Sequence, residues 1–159
     1  MARMDPDTHD LHLQVIVFGA ATEDFLGALG HPDGIWRLGE FKGWKPVIRF
    51  DGFPADPWAD PAAGDALEAL IPRMDGLVLT DDFSTGKHYA GRAVEQLART
   101  LRPGKIACPA VVFGGGALAQ EWETLSAAKL VLATEPSAAH AQAAVRALAK
   151  EMLRHVHPR

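Results

Sequence analysis

Five short apolar runs, with helical patterns between them, constrain the fold of this chain more than any other feature. The runs show little alternation of apolar and polar residues, which is typical of strands buried on both faces of a parallel sheet. Strands that alternate with helices predict an α/β sandwich. The predicted strands are Leu13–Gly19, Lys45–Phe50, Gly76–Thr80, Pro109–Phe113 and Lys129–Thr134, and the helices predicted after the second strand are Asp65–Met74, His88–Leu101, Ala117–Leu125 and Ser137–His155.

The composition fits one globular domain behind a short polar tail. With 159 residues, 48% of them hydrophobic, the chain can bury a sizeable core. We expect a flexible N-terminal tail over residues 1–10 and a single α/β domain over residues 11–159. The net charge of −4 argues against nucleic-acid binding. No apolar run approaches the ~18 residues of a membrane span, so we expect no membrane insertion and a cytoplasmic location.

A further strand is predicted between the first helix and the strand that begins at Lys45. In "GIWRLGEFKG", Ile35, Arg37 and Gly39 alternate with the residues of the opposite face. The turn "FKGWK" would join this strand to the next as a hairpin, which predicts one antiparallel edge strand. The loop that follows, "DGFPADPWADPAAGD", carries three prolines, which argue against regular structure there.

Strand, helix, hairpin and then alternating helix and strand is an order that resembles the Ras-like small GTPases. The segment "LGEFKGWKPVIRFDGFP" (Leu38–Pro54) resembles the second and third strands of the MglA-type polarity GTPases of gliding bacteria, and "MDGLVLTDDFS" (Met74–Ser84) is similar to their fourth strand. The resemblance implies a three-layer sandwich, in which a mostly parallel sheet with one antiparallel edge hairpin lies between helices on both faces.

The resemblance also implies that the phosphate loop is degenerate. In this family a lysine of the loop neutralises the terminal phosphates, and a serine or threonine holds Mg²⁺. Counted from Gly19, the second glycine, the lysine and the hydroxyl of G-x-x-x-x-G-K-[ST] correspond to Asp24, Phe25 and Leu26. We expect Phe25 and Leu26 to pack inward, into space that a phosphate would need.

The guanine-reading motif is altered in the same way. "PAVVFGGGAL" falls where the family has a strand leading into Asn-Lys-x-Asp, and the three reading residues correspond to Gly114, Gly115 and Ala117. These residues have no side-chain acceptor for the donor groups of a base. We therefore predict a pseudo-GTPase with no cofactor, no catalytic residue and no enzymatic activity.

An inactive member of this family would act as a protein-interaction module. The resemblance implies partners such as a roadblock-type regulator or a true Ras-like GTPase, in cell polarity or motility. The hairpin and the loop after it are rich in aromatic residues, which suit either a docking surface or the core. The interaction candidates are Trp36, Leu38, Phe41, Trp44, Phe53 and Trp58.

Other motifs support different hypotheses less strongly. The glycine-rich "FGGGAL" and the segments "STGKHY" and "TEPSAAH" somewhat resemble a cobalamin-binding domain, so a small-molecule or cobalamin-type ligand site is the alternative. That family's Asp-x-His-x-x-Gly motif is absent. Ser84 and Lys87 have the spacing of a nucleophile and a base, but a serine at a helix start is more often a cap. Asp81 and Asp82 end a strand, where solvated carboxylates are commoner than metal ligands, and we predict no metal site.

Overall fold

Seven strands form one sheet in the computed structural model, which describes residues 2–19, 21–30, 34–54, 56–80, 92–101, 108–113, 116–126, 131–134, 137–154 and 156. Their order across the sheet is β3-β4-β2-β5-β6-β7, and β1 pairs with β2. All pairs are parallel except β3–β4 and β1–β2. The strands are β1 (Arg3–Asp5), β2 (Asp10–Gly19), β3 (Ile35–Arg37), β4 (Lys45–Phe53), β5 (Gly76–Thr80), β6 (Ala110–Phe113) and β7 (Val131–Thr134).

Helices cover both faces of the sheet and divide the core into two clusters. On one face, α1 and α5 pack against alternate residues of β2 such as Val15 and Val17. On the other face, α2, α3 and α4 pack against Ile16 and Phe18. No helix within the described ranges has the length and hydrophobicity to cross a membrane. The helices are α1 (Thr22–Leu29), α2 (Pro61–Leu70), α3 (Arg92–Thr100), α4 (Gly116–Leu125) and α5 (Ala138–Arg154), with 3₁₀ turns at Pro57–Ala59 and Ile71–Arg73.

The predicted edge hairpin is confirmed. Strand β3 runs antiparallel to β4, with Trp36 opposite Ile48. At the turn, Lys42 and Gly43 both have positive φ angles, of 49° and 83°, as a two-residue hairpin turn with the twist of the flanking strands requires. The predicted α/β sandwich, with a mostly parallel sheet and an antiparallel edge, is therefore the observed fold.

The N-terminal segment differs from the flexible tail that we expected over residues 1–10. Residues 3–5 form β1, which pairs with the start of β2, and Arg3 lies opposite His12. The connecting turn is held by the Asp5 carboxylate, which accepts a hydrogen bond from the backbone N–H of Asp7 (2.9 Å). That bond holds the pKa of Asp5 below its ordinary value. The polar composition of this segment gave no sign of a strand, because the strand is stabilised by backbone pairing and a local turn hydrogen bond rather than by a run of apolar side chains.

The proline-rich loop is also more regular than predicted. Strand β4 continues to Phe53, and α2 already begins at Pro61. A proline in the first turn of a helix gives up no intrahelical hydrogen bond, so it favours a helix start. The Asp60 side chain caps the same end by accepting the backbone N–H of Ala62 (3.1 Å).

Replacement of this cap should have a small, local cost. We expect Asp60→Ala to lower the free energy of unfolding by ~1 kcal/mol, because the Ala62 N–H loses its acceptor. Urea denaturation measures the change. Asp65→Ala is the matched control, since Asp65 is exposed within the same helix and is not its cap. An equal loss in both variants would contradict the capping role of Asp60.

Candidate functional site

The carboxyl ends of β2, β4 and β5 meet at one edge of the sheet, where ligands bind in open α/β folds. Gly19, the last residue of β2, lies opposite Thr80, the last residue of β5. On its other side, Phe18 lies opposite Phe53 at the end of β4. The phosphate loop predicted from the sequence would lie at this edge, directly after Gly19.

The end of β2 lies tightly against β5, and α1 begins soon after it. Helix α1 begins at Thr22, three residues after Gly19. Gly19 has a φ angle of 130°, and a Cβ atom on it would lie 2.2 Å from the backbone oxygen of Thr80 and 2.6 Å from its hydroxyl. A glycine is therefore required here on two counts, backbone conformation and space.

Two buried threonines fix this connection to the strand ends. The Thr80 hydroxyl donates to the Phe18 carbonyl (3.2 Å) and accepts the Ala21 N–H (3.2 Å). The Thr22 hydroxyl lies 2.9 Å from the carbonyl oxygens of both Gly19 and Phe53. Thr80 is fully buried and Thr22 is 6% exposed, and they are the buried polar residues of the described part of the chain. Because unpaired buried polar groups are costly, these hydrogen bonds fix Ala21 and Thr22 relative to the strand ends.

Phe25 packs inward, as the sequence predicted. It is fully buried, and its ring centroid lies 4.9 Å from that of Phe113 and 6.4 Å from that of Phe50. Leu26 is half-buried against the same cluster. Asp24, which corresponds to the second glycine of the motif, is exposed in the first turn of α1 beside Glu23. Both carboxylates are placed where the helix dipole favours negative charge, and where they would repel a phosphate.

The remaining predicted site residues add little to this geometry. Gly114 and Gly115 lie outside the described residues, and so do the pairs Asp81/Asp82 and Ser84/Lys87. Ala117 lies in α4, one residue after the helix start. The base-reading loop and the glycine turn of the cobalamin-type alternative are therefore outside this description. Within the described ranges, no three His, Cys, Asp or Glu side chains are grouped as metal ligands.

The aromatic interaction candidates belong largely to the core. Trp36, Trp44 and Phe53 are buried, with exposures of 7%, 9% and 7%. Leu38, Phe41 and Trp58 are half-buried and pack at the margins of the two clusters. The expectation that an exposed tryptophan anchors a partner on the hairpin is not met by Trp36 or Trp44. The alternation in β3 could have shown this, because Trp36 lies opposite Ile48 on the face that α1 and α5 cover.

Sequence reasoning missed Thr22 and Thr80, the residues that determine the geometry of this edge. Thr80 ends the apolar run "GLVLT", and Thr22 follows "GAA". A hydroxyl at the end of a buried strand is a usable signal, since a buried hydroxyl needs a partner. The hydrogen-bond partners of Thr80, however, are about 60 residues away in sequence, so no local sequence pattern connects them to it.

No protein-family model matches the chain, and no curated protein matches it. Solved structures do match. The G-domain of FeoB from Methanococcus jannaschii has a TM-score of 0.53 at 15% identity, over 89% of this chain and 97% of that one. SsGBP in complex with GDP has a TM-score of 0.55 at 14% identity, over 88% of this chain and 49% of that one. The chain therefore has the small-GTPase-like fold of a G-domain.

These matches correct one prediction. We expected no enzymatic activity, because the nucleotide-binding motifs are missing from the sequence. That expectation is wrong: the structures that share the fold are a G-domain and a protein complexed with GDP, and G-domains are typically GTPases.

Substitution of Gly19 tests the tight β2–α1 connection. We expect Gly19→Ala to lower the free energy of unfolding by at least ~3 kcal/mol, because the new methyl group would overlap the Thr80 backbone and the φ angle is strained. Gly27→Ala is the control. No atom lies within 4 Å of a Cβ at this position in α1, so the substitution should stabilise the protein by roughly 0.5–1 kcal/mol. A Gly19→Ala protein of normal stability would show that the connection moves freely.

Proposed function

We propose that this chain is a regulatory protein-interaction module built on a degenerate G-domain, and that it presents its partner surface without needing a bound guanine nucleotide. The observation that carries this proposal is the set of hydrogen bonds by which two buried hydroxyls hold the start of α1 to the strand ends. Thr80 and Thr22 hold the β2–α1 connection through four contacts of their hydroxyls. One of them uses the N–H of Ala21, which is a donor of the kind that a phosphate-binding loop offers to its ligand.

The first supporting argument concerns hydrogen-bond donors. Phosphate-binding loops turn successive backbone N–H groups toward the anion. Here the Ala21 N–H already donates to Thr80, and the Phe25 N–H donates to the Ala21 carbonyl (3.0 Å) within the helix. Because α1 begins at Thr22, few residues remain between strand and helix to form a loop around a phosphate.

The second supporting argument concerns charge. A G-domain neutralises the terminal phosphates with a lysine and a bound Mg²⁺. At the corresponding place this chain has Phe25, which is fully buried among aromatic rings. Glu23 and Asp24 are exposed at the start of α1 and add negative charge. A Mg²⁺–triphosphate bound here would thus lack the positive charge of the lysine and would lie near two carboxylates.

The partner surface that we propose is the β3–β4 hairpin. Leu38 and Phe41 are its half-buried apolar residues, and the Lys42 ammonium lies 5.2 Å from the centre of the Phe41 ring. On the resemblance of this segment to the MglA-type GTPases, we propose a roadblock-type regulator or a true Ras-like GTPase as partner. The setting would be the cytoplasm of a bacterium, in cell polarity or motility.

Calorimetric titration with nucleotide tests the first part of the proposal. We expect Mg²⁺-dependent binding of GTP or GDP to be weaker than micromolar, because the lysine is replaced and the Ala21 N–H already donates to Thr80. Phosphate release from the same samples measures GTP hydrolysis. Micromolar affinity that disappears on addition of EDTA would overturn the proposal and favour an ordinary G-domain.

Truncation of the hairpin residues tests the second part. We expect Leu38→Ala and Phe41→Ala each to weaken binding to an immobilised roadblock-type regulator about tenfold. Leu125→Ala is the matched control, because Leu125 is also half-buried but packs at the margin of the opposite cluster. Trp36→Ala should instead unfold the protein, at a cost of about 3–5 kcal/mol. Equal binding by the Leu38, Phe41 and Leu125 variants, at equal melting temperatures, would exclude the hairpin as the partner surface.

A further inference from the structure

Among the residues that the structure describes, no helix packs on one half of a sheet face. The face that carries Ile16 and Phe18 is covered near the carboxyl ends of the strands. Towards the amino end of β2, the same face continues with His12 and Gln14, which are only half-buried. Register pairing extends this face across β4 and β3, because Val47 lies opposite both His12 and Arg37.

Three basic side chains lie next to two apolar residues on this part of the sheet face. Arg37 of β3 and Lys45 and Arg49 of β4 are exposed, whereas Val47 between them is 5% exposed and Ile35 is half-buried. The aliphatic stems of long basic side chains shield such apolar residues while their charged ends stay in water. We call these five residues the cationic sheet face. It stands out on a chain whose formal net charge is −4.

The cations of this face are only weakly neutralised by the protein itself. The Nε atom of Arg49 lies 3.4 Å from Asp51 Oδ2, and the Arg49 side chain is 68% exposed. That carboxylate oxygen also accepts a hydrogen bond from Gln14 Nε2 (2.6 Å), so Asp51 is shared. Asp10 lies opposite Lys45 in the register. Within the described residues, Arg37 and Lys45 make no ion pair.

We propose that the cationic sheet face binds an extended acidic segment of a protein partner. Lys45 and Arg49 are four residues apart in one strand, a span of ~13 Å at ~3.3 Å per residue. Two carboxylates four residues apart in an extended chain have the same span. The residue midway between them points to the same side and would meet Val47 and Ile35 if it is apolar.

A protein segment fits this face better than a nucleic acid does. Single-stranded nucleic acids bind grooves in which aromatic rings stack on the bases. The described residues of this part of the sheet face include no Phe, Tyr or Trp. The inference rests on the proposed role as a protein-interaction module, and it specifies the chemistry of one surface. It differs from the apolar hairpin contact, because it predicts a binding free energy that depends on salt.

The probe is a fluorescein-labelled peptide with two repeats of Glu-Ser-Val-Ser-Glu, and the measurement is fluorescence anisotropy at low and high salt. The test variant combines Arg37→Glu, Lys45→Glu and Arg49→Glu. The control variant combines Arg146→Glu, Lys150→Glu and Arg154→Glu, three exposed cations of α5, one of which is also ion-paired. Both variants change the net charge equally, so the comparison removes the long-range electrostatic effect.

We expect the sheet-face variant to lose at least ~10-fold in affinity and the α5 variant to lose less than ~2-fold, because only local contacts distinguish them. If charge reversal unfolds the protein, as its melting temperature would show, Gln replaces Glu at the same three positions in each variant. The sheet-face variant should again lose more affinity than the α5 variant. Failure of the unmodified protein to bind the peptide, or equal losses in both variants, would overturn the inference. So would binding of a thymidine oligonucleotide with the same dependence on this face. Nucleotide titration is independent of this result, so Mg²⁺-dependent GTP binding would refute the proposed function and leave the peptide comparison interpretable.

Discussion

The close contact between Gly19 and Thr80 is the constraint on which the geometry of the candidate site depends. Because Gly19 has no Cβ, β2 can end directly against the β5 backbone, and the Thr80 hydroxyl can reach both Phe18 and Ala21. Helix α1 then starts almost at once, and its first turn places Phe25 in the core against Phe113. The same contact thus fixes where α1 starts relative to the ends of β2 and β5.

The sequence predicted the sheet well because buried parallel strands leave a strong local signal. The run Gly76–Thr80 is bounded as predicted, and the hairpin turn at Lys42 and Gly43 follows from its residue types. The misses have physical reasons. Strand β1 is stabilised by backbone pairing, Pro61 starts a helix where proline usually argues against one, and the partners of Thr80 are distant in sequence. Alternation in β3 would have placed Trp36 on the buried face, because it lies opposite Ile48.

Function follows the fold less closely. A G-domain fold at 14–15% identity leaves room for exchange of every ligand-binding group, so the site itself has to carry the argument. Here two threonine hydroxyls hold the ends of β2 and β4 beside the start of α1, while the cationic sheet face lies on β3 and the first five residues of β4. The proposed role requires partner surfaces that do not rearrange with a nucleotide.

The most direct test of these hydrogen bonds and of their independence from nucleotide is the hydrogen-exchange rate of the Ala21 amide, measured by NMR with and without Mg²⁺–GTP. This amide donates to the buried Thr80 hydroxyl. The account therefore predicts slow exchange in the free protein and no change when nucleotide is added. Fast exchange in the free protein that slows on addition of GTP or GDP would contradict it, because the connection would then be an open loop that a nucleotide orders.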